Sequence, residues 1–145
     1  VYGCNHYESK TQENEKLVQS FMESLNDHDL DKLTSLFTEN CLYEEVASGS
    51  IFSGKRKIAA YIESTLSGIP DSKFMILKLM ANDTLGVVEW LWKGTNTVGW
   101  SDMGIAPSNK YFELRGISIM EIKDGHITHN RDYWDWNTFI KGISE

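Results

Sequence analysis

From Asp71 onward the chain alternates apolar and polar residues in four runs: Lys73–Ala81, Leu85–Gly94, Lys110–Ile122 and His126–Trp136. A period of two sends successive side chains to opposite faces of a sheet. This half of the chain therefore has to make adjoining strands. Asn82-Asp83 and Lys123-Asp124-Gly125 supply tight turns for two antiparallel connections, and a long glycine-bearing loop, 95–109, joins the middle pair.

The first half has a different period. Leu17, Val18, Phe21, Met22 and Leu25 recur at helical spacing and predict a helix over Gln12–Asn26, opened by a capping box of Ser9 with Gln12. Leu30, Leu33, Leu36 and Phe37 predict a short second helix ending near Glu39-Asn40, followed by a short strand, Cys41–Val46. Residues 47–54 read as a turn-rich connection. Ser53 then serves as N-cap of a third helix, Lys55–Ser67, which Gly68 and Pro70 stop. A last helical turn is expected over Asn137–Lys141. Helix, helix, strand, helix and four antiparallel strands make an α+β layout. The expected architecture is a curved, mostly antiparallel sheet wrapped around three N-terminal helices. Such a cone-shaped barrel has an apolar pocket at its open end. Residues 12–145 form one domain behind a disordered leader, 1–11.

The last strand carries the densest chemistry. Alternation puts His126, Thr128, Asn130, Asp132, Trp134 and Trp136 on one face, and Ile127, His129, Arg131, Tyr133 and Asp135 on the other. A carboxylate between an amide and an indole is expensive to bury. Desolvation there raises its pKa, which suits a general base near neutrality. Asp132 is thus the candidate base, and the opposite direction of Arg131 weakens a purely structural ion pair. Asp135, at the strand's end, suits a cap for the terminal helix. On the first strand Tyr43 and Glu45 share a face, as a hydrogen-bond donor and a second carboxylate able to divide acid and base roles with Asp132. Trp90, Trp92 and Trp134 fit a pocket lining or plain core packing, and Asn130 sits on the pocket face. Trp100 and Met103 lie in the long loop, which could lid the pocket or reach a second subunit.

Partners are bounded by charge. The formal net charge is −7 and Lys55-Arg56-Lys57 is the only basic cluster, which argues against nucleic acid. No run approaches the roughly 20 apolar residues needed to span a bilayer. The histidines and cysteines show no metal-ligand spacing, so no metal and no cofactor are expected. Val1-Tyr2-Gly3-Cys4 resembles a lipobox; a cytoplasmic protein is expected, with an exported lipoprotein anchored at Cys4 as the alternative. Tyr111, Glu113, Arg115, Ile117, Ile119 and Glu121 form an outer face with Arg131 and Tyr133, suited to cross-strand ion pairs and equally to a homodimer.

Four stretches then resemble a known superfamily: Phe52–Tyr61 (Phe-Ser-Gly-Lys-Arg-Lys-Ile-Ala-Ala-Tyr), Val88–Thr95 (Val-Glu-Trp-Leu-Trp-Lys-Gly-Thr), Gly116–Ile127 and Arg131–Asp135 (Arg-Asp-Tyr-Trp-Asp). Their order and content resemble the SnoaL-like and ketosteroid-isomerase-like proteins, whose cone fold is shared with nuclear transport factor. The resemblance spans about residues 14–142. It implies a cofactor-independent acid–base enzyme of isomerase, cyclase or hydrolase type, acting on a small apolar, carbonyl-bearing or polycyclic molecule. The alternative it leaves is a binding module with the same aromatic pocket and no turnover. Limonene epoxide hydrolase resembles this ending and matches Asp132 and Tyr43. It has an asparagine where Glu45 stands, and an arginine and an aspartate where Trp90 and Trp92 stand, so epoxide opening is disfavoured. SnoaL-type cyclases carry Gly-Thr-His where this chain has Gly94-Thr95-Asn96, which leaves Asn96 as a polar partner for an oxyanion. Their catalytic aspartate matches Asp132 or Asp135.

Overall fold

Ser9 closes the expected capping box: it accepts from the Gln12 N–H at 3.3 Å, while the Gln12 Oε1 accepts from the Ser9 N–H at 3.1 Å. The computed structural model describes residues 8–144. In it, helix α1 starts at Lys10 and runs to Asp27, ending where His28 turns into the left-handed region at φ 54°. Its buried stripe is the predicted one, Val18, Phe21, Met22 and Leu25. Cys4 and most of the expected leader lie outside the described residues.

Helix α2, Leu30–Ser35, is capped by Asp29, whose Oδ1 accepts from the Lys32 N–H at 2.9 Å. It is shorter than expected. The residues from Phe37 already belong to strand β1, Phe37–Glu45. A further strand, β2 at Ser50–Ser53, forms where only turns were read, and pairs antiparallel with β1. Helix α3, Lys55–Gly68, is entered through Gly54 at φ 84°, so Gly54 rather than Ser53 occupies the N-cap position and no side chain caps it. Only glycine adopts that backbone freely.

Strands β3 (Lys73–Ala81), β4 (Leu85–Thr95), β5 (Tyr111–Lys123) and β6 (His126–Trp134) follow. The six strands lie in the order β2-β1-β6-β5-β4-β3. Every neighbouring pair is antiparallel except β1 with β6, which run parallel. The sheet stays open. Helix α1 packs on β3 and β4, α3 on β1 and β2, and α4 (Trp136–Ser144) on β5. Asn26 pins α1 to the edge strand: its Oδ1 accepts from the Phe74 N–H and its Nδ2 donates to the Phe74 carbonyl, both at 2.8 Å.

One feature of β6 corrects the expected faces. The pairing with β5 steps from Ile122↔Ile127 to Glu121↔His129, leaving Thr128 as an extra residue. Such a bulge reverses the parity of the strand beyond it. Ile127 therefore faces the core on the same side as Asn130 and Asp132, not with His129 and Arg131 as strict alternation has it. Trp136 has left the strand and opens α4, whose first turn Asp135 caps as expected, accepting from the N–H groups of Asn137 and Thr138.

Close packing around the indoles sets the sheet's inner face. Trp90 lies flat against Gly116, where a Cβ would run into its six-membered ring. Gly116→Ala should cost about 1–3 kcal/mol, since nothing backbone-like can yield on the glycine side. Urea unfolding monitored by far-ultraviolet circular dichroism measures it, and an unchanged midpoint would refute this account of the contact.

Candidate active site

Parallel pairing of β1 with β6 puts Tyr43 opposite Asn130 and Glu45 opposite Asp132. All four side chains point inward, and the two carboxylates become neighbours although 87 positions separate them in the chain. Both carboxylates line a cavity of about 130 Å³.

Asp132 is held by three neutral donors. Its Oδ1 accepts from the Ser118 hydroxyl at 2.6 Å and from the Asn130 amide at 2.8 Å, and its Oδ2 accepts from the Tyr43 hydroxyl. Ser118 is the direct cross-strand partner of Asp132 on β5, and in turn accepts from the Trp90 indole N–H at 2.9 Å. Burial pushes the Asp132 pKa above the ordinary aspartate value, and the hydrogen bonds from Ser118, Tyr43 and Asn130 offset part of that rise.

Glu45 is held by a second tyrosine. The Tyr61 hydroxyl, from α3, donates to its Oε2 at 2.6 Å, and the Ala47 N–H donates to Oε1 at 3.2 Å. Burial and then the charge of Asp132 raise its pKa to about 7, against hydrogen bonds from Tyr61, Trp134 and Ala47. Both tyrosines are pushed well above the usual phenol range, first by burial. The site is thus two phenol–carboxylate pairs, Tyr43 with Asp132 and Tyr61 with Glu45, and their rings meet at 5.5 Å.

The expected lining is mostly present. Trp90, Trp92, Trp134, Trp100 and Met103 all line the cavity, joined by Trp136, Phe74 and Phe139. Trp92 is clamped between Phe74 and Phe139, with ring centroids at 5.7 and 5.4 Å, and its N–H goes to the Ser72 hydroxyl at 3.0 Å. Trp100 brings the long loop over the cavity: its indole N–H donates to the Ser64 carbonyl of α3 at 2.8 Å and its ring covers Gly68.

Two expected residues lie elsewhere. Asn130 is fully buried behind Asp132 and orients it rather than meeting a ligand. Asn96 is not brought to the cavity at all. Its amide donates to the Ala106 carbonyl at 2.9 Å and to the Ser108 hydroxyl at 3.1 Å, so it organises the 96–110 loop. Of the two candidate aspartates only Asp132 lines the cavity; Asp135 is in water, where Thr138 above all lowers its pKa. Tyr61 and Ser118 were not anticipated as site residues. Ser118 had a signal, being the one hydroxyl between Gly116 and Met120 on an otherwise apolar inner face of β5.

On the other side of the sheet Arg131 lies 3.0 Å from Glu121 and 3.5 Å from Glu44, and His129 lies 2.6 Å from Glu44. Arg131 is thereby kept from Asp132. Among the described residues, no group of three or more His, Cys, Asp or Glu side chains is placed to share a metal ion.

The family model of the SnoaL-like polyketide cyclases matches residues 15–141. The chain belongs to the SnoaL-like polyketide cyclase family. Solved structures repeat this SnoaL-like fold at low identity. A candidate polyketide cyclase of Xanthomonas campestris pv. campestris superposes with TM-score 0.85 at 20% identity, covering 94% of this chain and all of that one. A candidate SnoaL-like cyclase of Jannaschia sp. CCS1 gives 0.86 at 15% identity, covering 97% of each chain. A protein of ketosteroid isomerase-like fold from Catenulispora acidiphila gives 0.77 at 16% identity, covering 88% of this chain and 92% of that one. At these identities the likeness is one of fold, and the ketosteroid isomerase-like cone is the architecture all of them share with this SnoaL-like chain.

A carboxyl group whose pKa is raised by folding stabilises the folded state while protonated and loses that contribution as pH rises through the folded value. For Glu45 the window runs from its ordinary value near 4.5 up to about 7. Melting temperature should fall across that interval in the wild type and fall less in Glu45→Gln; parallel curves from differential scanning calorimetry would refute the assignment.

Proposed function

We propose that the cavity performs cofactor-independent acid–base chemistry on a small apolar, carbonyl-bearing molecule, with Asp132 as general base. The observation that carries this reading is the pair of carboxylates, Glu45 and Asp132, side by side in one aromatic cavity and held by separate tyrosines. Burial, and then the charge of Asp132, lets Glu45 keep a proton to about pH 7. One acid is then a base and its neighbour a donor at the same pH.

In this scheme Asp132 takes a proton from the carbon beside the carbonyl, and the electron pair moves onto the carbonyl oxygen. Protonated Glu45 donates to that oxygen as negative charge develops, giving the enol. Return of the proton to a different carbon is an isomerisation; attack of the enol carbon on a second carbonyl is a cyclisation. Tyr43 and Tyr61 orient the two acids. Trp90 acts through Ser118, and Asn130 through its own amide, to fix the Asp132 carboxylate. The void of about 130 Å³ is the size that accepts one small ring. A polycyclic substrate would need the Trp100–Met103 segment to swing aside.

The second reading is a binding module without turnover. What favours it is that three donors already occupy Asp132, which lowers its basicity. Deuterium exchange into a panel of small ketones, followed by nuclear magnetic resonance, separates the two readings. The wild type should exchange protons beside the carbonyl, more slowly above about pH 7 as Glu45 ionises. Asp132→Asn should lower the rate by about tenfold or more. Exchange unchanged in that variant sinks the base assignment, and ligand-induced melting shifts without exchange leave the binding module.

The outer face of β5 and β6 is the proposed homodimer contact. Ile117 and Tyr133 are directly paired there, and they remain 40% and 43% exposed despite their size. Apolar side chains of this kind, on the same outer face as the charges of Arg131, Glu121 and Glu44, fit a self-complementary interface. Sedimentation velocity should show a dimer that Tyr133→Lys converts to monomer; a wild-type monomer at high concentration would exclude it.

A further inference from the structure

The cavity contains two acids and no basic side chain. Glu45 and Asp132 line it, and among the described residues no lysine, arginine or histidine does. Arg131, adjacent to Asp132 in sequence, is turned to the other side of the sheet and engaged by Glu44 and Glu121. A buried carboxylate lacking a counter-charge is unfavourable, and neutral donors offset only part of that cost. Every donor to this pair is neutral: Tyr43, Ser118 and Asn130 on Asp132, and Tyr61, Trp134 and the Ala47 N–H on Glu45.

The surrounding walls have the complementary property. Trp90 is tied to Asp132 through Ser118, Trp134 hydrogen-bonds Glu45, and Trp136 meets Trp134 with ring centroids 5.5 Å apart. Indole faces attract cations through their quadrupole, most strongly where water is excluded. Charge and walls therefore ask for the same thing, a positive group of low hydration. A compact trialkylammonium is of the size that a void of about 130 Å³ admits.

We propose that this cavity selects ligands carrying a tertiary or quaternary ammonium group, seated among Trp90, Trp134 and Trp136 against Glu45 and Asp132. The inference rests on Glu45 and Asp132 being the working acids of the site. Such a ligand competes with the carbonyl substrate, because it meets Glu45 as a carboxylate while the acid step needs Glu45 protonated.

In the free protein the proton on Glu45 is what limits the charge of the pair. The titratable groups facing Glu45 are Asp132 from β6, Tyr43 from its own strand and Tyr61 from α3, and of these it is Asp132 whose charge raises the Glu45 pKa. A bound cation replaces that proton. Binding therefore releases a proton below about pH 7 and hardly any well above it.

Choline and dimethylbutanol, its uncharged carbon isostere, make the test. All five tryptophans line the cavity, so indole emission reports occupancy directly. Calorimetry in buffers of different ionisation enthalpy counts the protons released. Choline should bind about tenfold or more tighter than dimethylbutanol. It should release part of a proton at about pH 6 and almost none at about pH 8.5. Glu45→Gln should abolish the release and shrink the preference. Equal affinities, tighter dimethylbutanol, no choline binding, or choline binding without proton release would each overturn the proposal. The wild-type comparison decides even if the variant does not fold. Because the readout is equilibrium binding, its failure leaves ketone exchange and its dependence on Asp132 untouched, and loss of exchange leaves the choline preference standing.

Discussion

Two carboxylates face each other across one parallel strand pair, and most of the inner face is arranged to make that tolerable. Glu45 lies opposite Asp132 because β1 and β6 run in the same direction in register, and both acids are buried. Charge repulsion in a low-dielectric surrounding would drive them apart or neutralise one. The fold meets this with neutral donors on each acid and with a proton retained on Glu45. Remove Tyr43 or Ser118 and an acceptor is stranded. Their conformations are as constrained as those of the acids they serve.

The aromatic residues make this arrangement stiff. Trp92 has both ring faces covered and its N–H bonded to Ser72, so it behaves as a core residue that happens to border the cavity. Trp90 is fixed by Gly116 below and Ser118 at its edge, and through Ser118 it fixes Asp132. Trp100 is the exception: it belongs to a loop, and one hydrogen bond to Ser64 and the flat surface of Gly68 hold it against α3.

Alternation alone found the acids. Asp132, Tyr43, Glu45, Trp90 and Trp92 are all on the face that a period of two assigns them, because burial of one sheet face enforces that period. What it missed are features that local pattern does not encode. The Thr128 bulge is one, since an extra residue leaves no mark on composition yet reverses Ile127. Strand β2 is another: four residues next to glycines look like a turn until β1 offers them a partner. Asn96 looked like an oxyanion partner because it stands where the SnoaL-type cyclases carry the histidine of Gly-Thr-His. Its actual partners, Ala106 and Ser108, are chosen by the path of a loop that has no periodicity to read. Tyr61 was legible as inward-facing, but its bond to Glu45 depends on how α3 crosses β1, a tertiary fact.

The parallel pairing also fixes when the site comes into being. Strands β3, β4, β5 and β6 pair in their sequence order, through two tight turns and the longer 96–110 loop. The β1–β6 contact joins residues 87 positions apart, so its loop-closure entropy is met most readily once the intervening strands are in place. Glu45 and Asp132 thus remain solvated and apart through most of folding. Their mutual repulsion enters at the closing step, when the hydrophobic surface needed to override it has already been assembled.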